Sequence, residues 1–134
     1  MNKKYLFALG WVLFGTSLSP HALALAAKGA AEVKVGTAVE KMVLKGEAKT
    51  FKVALGSKIW VWTKVNDMAD SKIEIIFEKE GRVAFKQQLQ VPRNAYRTYA
   101  YHTFRKGDGG AWTAKVLDPD GTVLGSSTFS VEVE

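Results

Sequence analysis

From Val33 onward, apolar and polar residues alternate with a period of two, and no stretch holds the 3.6-residue period of an amphipathic helix. Successive side chains of a strand point to opposite faces, so this alternation marks half-buried sheet. Thr50-Phe51-Lys52-Val53 alternates cleanly, and Lys58 to Val65 is β-branched and aromatic throughout. Ile73, Ile75 and Phe77 interleave with Glu74, Ile76 and Glu78. Glu80-Gly81 then turns the chain into Val83-Ala84-Phe85, with Leu89 and Val91 following, and Pro92-Arg93-Asn94 breaks that strand. Tyr96 to Phe104 forms the next strand, Arg105 to Gly110 a loop, and Trp112 to Leu117 another strand. Asp118-Pro119-Asp120-Gly121 is a turn: Pro119 pre-sets the first central residue, and Gly121 accepts a positive φ. Thr128 to Val133 closes the pattern. About seven or eight short strands with turn signals every ~8–12 residues predict an all-β fold, an antiparallel two-sheet sandwich of immunoglobulin-like architecture. A closed barrel is the alternative.

The opening residues change the picture. Lys3 and Lys4 precede an apolar run from Tyr5 to Leu18, then Ser19-Pro20, then Ala24-Leu25-Ala26 before Ala27. A positive start, a short apolar run and a small-x-small site predict a cleaved signal peptide over residues 1–26. The run is shorter than the ~18–20 residues of a spanning helix. Residues 27–32 are then expected to be a flexible lead and 33–134 a single β-sandwich domain. Export is expected, to the periplasm or, alternatively, the medium, with no membrane attachment after cleavage.

The chain has no cysteine, so no disulfide supports the fold. Its net charge of +6 falls to about +4 once Lys3 and Lys4 are removed. Lys34, Lys41, Lys45, Lys49, Lys52, Lys58 and Lys64 alternate with apolar residues, as solvent faces of strands do. That scatter, together with export, argues against a nucleic-acid partner.

The C-terminal half carries a resemblance. Tyr96-Arg97-Thr98-Tyr99, Gly110-Ala111-Trp112-Thr113, Val116-Leu117-Asp118 with Asp120-Gly121-Thr122-Val123-Leu124, and Phe129-Ser130-Val131 resemble the bacterial domain-of-unknown-function family 2914. The resemblance extends over roughly Val39 to Val133, with Trp60-Val61-Trp62-Thr63 where that family has an aromatic strand. It departs at Tyr96, where the family has a tryptophan form. It implies an exported β-domain and no activity.

A catalytic centre needs a positioned acid, base or nucleophile. Beyond the expected signal peptide the only histidine is His102, and no Gly-x-Ser-x-Gly elbow surrounds Ser126 or Ser127. A lone strand histidine reads first as a structural residue, so the protein is not expected to be an enzyme. A hydrolase using His102 with a carboxylate is the alternative from that class. One histidine and no cysteine cannot supply a zinc site without three carboxylates. Asp118 to Gly121 lacks the later glutamate of a calcium loop. No metal or cofactor is expected.

Strand parity picks out a binding candidate. On Tyr96–Phe104 one face holds Tyr96, Thr98, Ala100, His102 and Phe104, and the other holds Arg97, Tyr99, Tyr101 and Thr103. Arginines at both ends of the second set, Arg97 and Arg105, suggest that it faces outward. On Lys58–Val65 the aliphatic Ile59, Val61 and Val65 suit the core, which leaves Trp60, Trp62 and Lys64 on the other side. If the two strands are neighbours, Trp60, Trp62, Arg97, Tyr99 and Tyr101 form one amphipathic face for a protein or glycan partner, with self-association into a homo-oligomer as one version. The competing readings are ordinary cross-strand pairing, or reverse parity with the rings in the core. A structural subunit of an envelope assembly, sharing an edge strand, is a further alternative.

Overall fold

The structure is a computed structural model and describes residues 29–134. The signal peptide expected over 1–26 lies outside those residues. Ten strands follow in chain order: β1 Ala30–Gly36, β2 Ala38–Glu40, β3 Val43–Lys45, β4 Thr50–Val53, β5 Lys58–Asn66, β6 Ser71–Lys79, β7 Arg82–Val91, β8 Ala95–Thr103, β9 Gly110–Leu117 and β10 Val123–Val133. β1 begins at Ala30, within the segment 27–32 expected to be a flexible lead. The additional strands beyond the seven or eight expected include the short β2–β3 hairpin.

Two sheets face each other, ordered β1-β5-β8 and β4-β10-β9-β6-β7, and β2-β3 pairs by itself. The architecture is the immunoglobulin-like sandwich, not the closed barrel. All pairings are antiparallel except one: β4 lies parallel to β10, with Phe51 opposite Val131. On one side the sandwich is drawn together where β1 meets β10. A Cβ on Gly125 would stand 2.2 Å from the Ala31 carbonyl oxygen, so only glycine permits this approach. On the other side β7 and β8 are each the last strand of their sheet.

The core fills the space between the sheets as the alternation requires. Ile59, Val61 and Val65 of β5 meet Ile73, Ile75 and Phe77 of β6, all at most 1% exposed. Trp112 sits among Phe104 and Phe129, at ring-centroid distances of 4.8 and 6.4 Å, and its indole N–H donates to the Asp108 carbonyl at 2.8 Å. Burying rings of this size supplies much of a small domain's stability. Two of the polar side chains carried inward have hydrogen-bond partners close by. Thr63 donates its hydroxyl to the Glu32 carbonyl at 2.8 Å, and Asp118 accepts the backbone N–H groups of Asp120 and Thr122, each at 2.9 Å. The Asp118–Gly121 segment is therefore the turn that its sequence predicts.

Candidate functional site

The outer face of the three-stranded sheet is set by register. β5 and β8 are hydrogen-bonded neighbours, with Trp60 opposite Tyr101, Trp62 opposite Tyr99 and Lys64 opposite Arg97. β1 completes the rows by placing Gly36, Lys34 and Glu32 beside Trp60, Trp62 and Lys64. The parity read from the sequence places Thr98, Ala100 and Phe104 in the core and Arg97, Tyr99 and Tyr101 outside, and the burial agrees. The sheet thus has one aliphatic face packed inward and one face of rings and cations.

Trp60, Tyr99 and Tyr101 form a cluster. Trp60 lies 5.4 Å from Tyr99 and 4.8 Å from Tyr101, with the rings tilted by 60° and 48°. Both tyrosines are 40% exposed, and Trp60 is half-buried. Tyr99 and Tyr101 stand two residues apart on one strand, about 7 Å along it. Lys58 lies 4.6 Å from the centre of the Tyr101 ring, and Lys34 lies 5.6 Å from that of Trp62, at cation–π distances.

Trp62 differs from the other four candidates. It belongs to the same face but is only 9% exposed, because the β2–β3 hairpin lies over it. Its indole N–H donates to the Met42 carbonyl at 2.8 Å, at the tip of that hairpin. Trp62 is therefore an anchor for the hairpin, not an exposed ring. Beside it opens a cleft of about 300 Å³, bounded by Lys34, Leu44, Glu47 and Arg97. Sequence pattern gave no warning of this cover. The three-residue strands lack a glycine or asparagine turn signal, since Lys41 and Met42 themselves take the left-handed conformation.

His102 lies on the inward parity of β8 but at the rim of the core. Its ring is 5.0 to 5.9 Å from those of Phe104, Trp112, Phe77 and Phe85. Burial among these rings lowers its pKa from the usual value near 6.5; the Asp108 carboxylate opposes that shift, and Arg105 adds to it. Asp108 Oδ2 stands 3.9 Å from His102 Nε2, beyond hydrogen-bond reach, and instead accepts the Arg105 backbone N–H at 2.8 Å. That carboxylate thus closes its own loop. Among the described residues, no group of three or more histidine, aspartate or glutamate side chains is placed to hold a metal ion, and no helix is long and apolar enough to cross a membrane.

Fold and site together define an immunoglobulin-like β-sandwich with a ring-and-cation outer face. The family described as protein of unknown function (DUF2914) matches residues 70–131. The resemblance read in the C-terminal half is borne out over that span, which is narrower than Val39 to Val133. Arg97, Tyr99 and Tyr101 fall inside it, and Trp60 and Trp62 outside. Among solved structures, the CARDB domain of a Pyrococcus furiosus protein, determined by NMR in solution, is similar with TM-score 0.54 and 14% identity, covering 78% of this chain and 94% of that one. A crystal structure of that domain in complex with di-metal ions gives TM-score 0.52 and 14% identity, covering 78% and 91%. At this identity the likeness is one of fold alone. No curated protein matches the chain.

Proposed function

We propose that this protein is an exported, non-enzymatic binding module that meets its partner, a protein or a glycan, through the outer face of the β1-β5-β8 sheet. One observation carries the reading: three clustered rings, Trp60, Tyr99 and Tyr101, stand on the solvent side of a sheet whose other face already holds the core. Rings that are clustered, exposed and flanked by cations are typical of contact surfaces, because they contribute large area at small cost in side-chain entropy. Trp62 contributes indirectly by holding the hairpin that walls one end of the face. His102 is given a packing role, since its surroundings are apolar rings and its carboxylate neighbour is engaged elsewhere.

The test is the variant Trp60→Ala/Tyr99→Ala in the full chain, with co-sedimentation on a bacterial cell-envelope preparation as the readout. The wild type should sediment with the envelope material, while the folded variant should stay in the supernatant. Equal sedimentation of both, or a variant that has lost its circular dichroism, would remove the contact role. A second reading has an observation of its own: β8 ends its sheet, so its free edge offers a place for a partner strand in an envelope assembly.

A further inference from the structure

The charges on the aromatic face are arranged against one another. Lys64 and Arg97 stand directly opposite in register on β5 and β8. Like charges in that relation destabilise a sheet. The carboxylate in the same row, Glu32, is paired instead with Lys34 at 3.2 Å. Glu47 borders the cleft beside Arg97, yet among the described residues neither Lys64 nor Arg97 has a carboxylate at ion-pair distance. Lys58 adds a further cation beyond Tyr101. A repulsive pair without an internal counter-ion, next to exposed rings, is complementary to an anion carried by something that stacks.

We propose that this face binds an acidic glycan, a sugar chain bearing carboxylate or sulfate groups; the inference rests on the contact role assigned to the face above. The apolar faces of the sugar rings lie on Tyr99, Tyr101 and Trp60, and the acid group sits between Arg97 and Lys64. Arg97 supplies the fork that matches a carboxylate in two hydrogen bonds, and Lys64 supplies a point charge. The position on the sheet favours a glycan over an acidic peptide. An extended peptide gains most of its affinity from main-chain hydrogen bonds at a sheet edge. The ring cluster is on a sheet face, and a strand added at the free edge of β8 would lie two strand positions, about 9–10 Å, from β5, which carries Trp60 and Lys64 and is itself paired on both sides. A ligand held there must be recognised by stacking and charge.

The experiment is affinity electrophoresis and titration calorimetry of the full chain against polygalacturonate, dextran sulfate, neutral dextran, poly-glutamate and a single-stranded oligonucleotide, at low and high salt. Polygalacturonate or dextran sulfate should bind, less tightly as salt rises, and the better of the two identifies the acid group. Arg97→Ala and Tyr99→Ala should each weaken that binding by about tenfold or more, as central contacts do. Tyr99→Leu, which keeps an apolar side chain on the strand, should lose as much as Tyr99→Ala. Lys72→Ala, on the outer face of the other sheet, should change nothing. Equal binding of neutral dextran would show rings acting alone, and equal binding of poly-glutamate would show charge acting alone; either overturns the proposal. Preference for the oligonucleotide overturns it in favour of base stacking. If no glycan binds while Tyr99-dependent sedimentation with the envelope persists, the acidic-glycan inference falls and the contact face stands. If both are absent, both readings fall.

Discussion

Tyr99 and Trp112 are both aromatic strand residues, and their neighbours give them opposite roles. Trp112 is 2% exposed, touches Phe104 and Phe129, and has its N–H satisfied. Trp112→Ala should therefore cost about 3–5 kcal/mol, read as a drop in the urea midpoint. Tyr99→Ala removes a ring that is 40% exposed and should cost under about 1 kcal/mol in the same assay. A large loss from Tyr99→Ala would mean that the outer rings hold the sheet together. The side taken by Tyr99 was legible in the sequence, because the strict alternation from Tyr96 to Phe104 leaves only two faces to assign and the arginines mark one of them; the burial of Trp112 was not, because the short run from Trp112 to Leu117 carries no such marker. His102 gives a pH prediction. Its folded pKa is lowered, chiefly by burial, so the unfolded chain takes up the proton first as pH falls. Stability should be full above about pH 6.5, decline as pH drops below it toward the lowered folded value, and level off beneath that. His102→Gln should flatten this part of the urea-midpoint profile between pH 7.5 and 5. A wild-type profile already flat there would contradict the burial.

Two hairpins with two-residue turns show why some elements were readable and others not. The β6–β7 turn uses Glu80 and Gly81, at φ 50° and 85°, and the glycine announces it. The β2–β3 turn uses Lys41 and Met42, at φ 49° and 64°, in the same left-handed region. Such a pair favours Asn-Gly, and a lysine-methionine pair costs about 1–2 kcal/mol per residue of left-handed backbone. Nothing in the residues signals a turn there; the conformation is held by what the hairpin packs on, namely Trp62 and its bond to the Met42 carbonyl. Hence sequence placed Trp62 on the correct face but could not show that it was covered. Lys41→Asn with Met42→Gly should raise stability by ~1 kcal/mol, measured by thermal unfolding. Unchanged or lowered stability would mean that the Met42 side chain contributes more than its strained backbone costs. At β10, Gly125→Ala would press a methyl group onto the Ala31 carbonyl and should lower stability by about 1–3 kcal/mol by forcing β1 away.

At the scale of the whole molecule, the side with β7 and β8 is open and β7 is almost wholly exposed. Val83 at 54% and Phe85 at 36% would make it adhesive, but Arg82 and Lys86 on the strand and a register shift beside Phe85 work against edge-to-edge pairing. Lys86→Val should increase turbidity on concentration while leaving the unfolding midpoint within about 0.5 kcal/mol. Equal clarity of both proteins would show that the register shift protects the edge unaided. The sandwich class followed from the period-two pattern, whereas the short β2–β3 hairpin and the strand order did not, because three-residue strands carry too little alternation and pairing partners far apart leave no local trace. The parallel union of β4 with β10 is the extreme case, joining positions up to 80 residues apart. β10 is also the strand between β4 and β9, so β4 stays outside the larger sheet until the final strand is available. During synthesis β4 waits with no partner, and loop-closure entropy must be overcome before any pairing rewards it. The domain is thus fastened by its last strand: β7, β6 and β9 can pair with one another before β10 exists, whereas a chain cut short before Val123 would leave β4 with nothing to lie against.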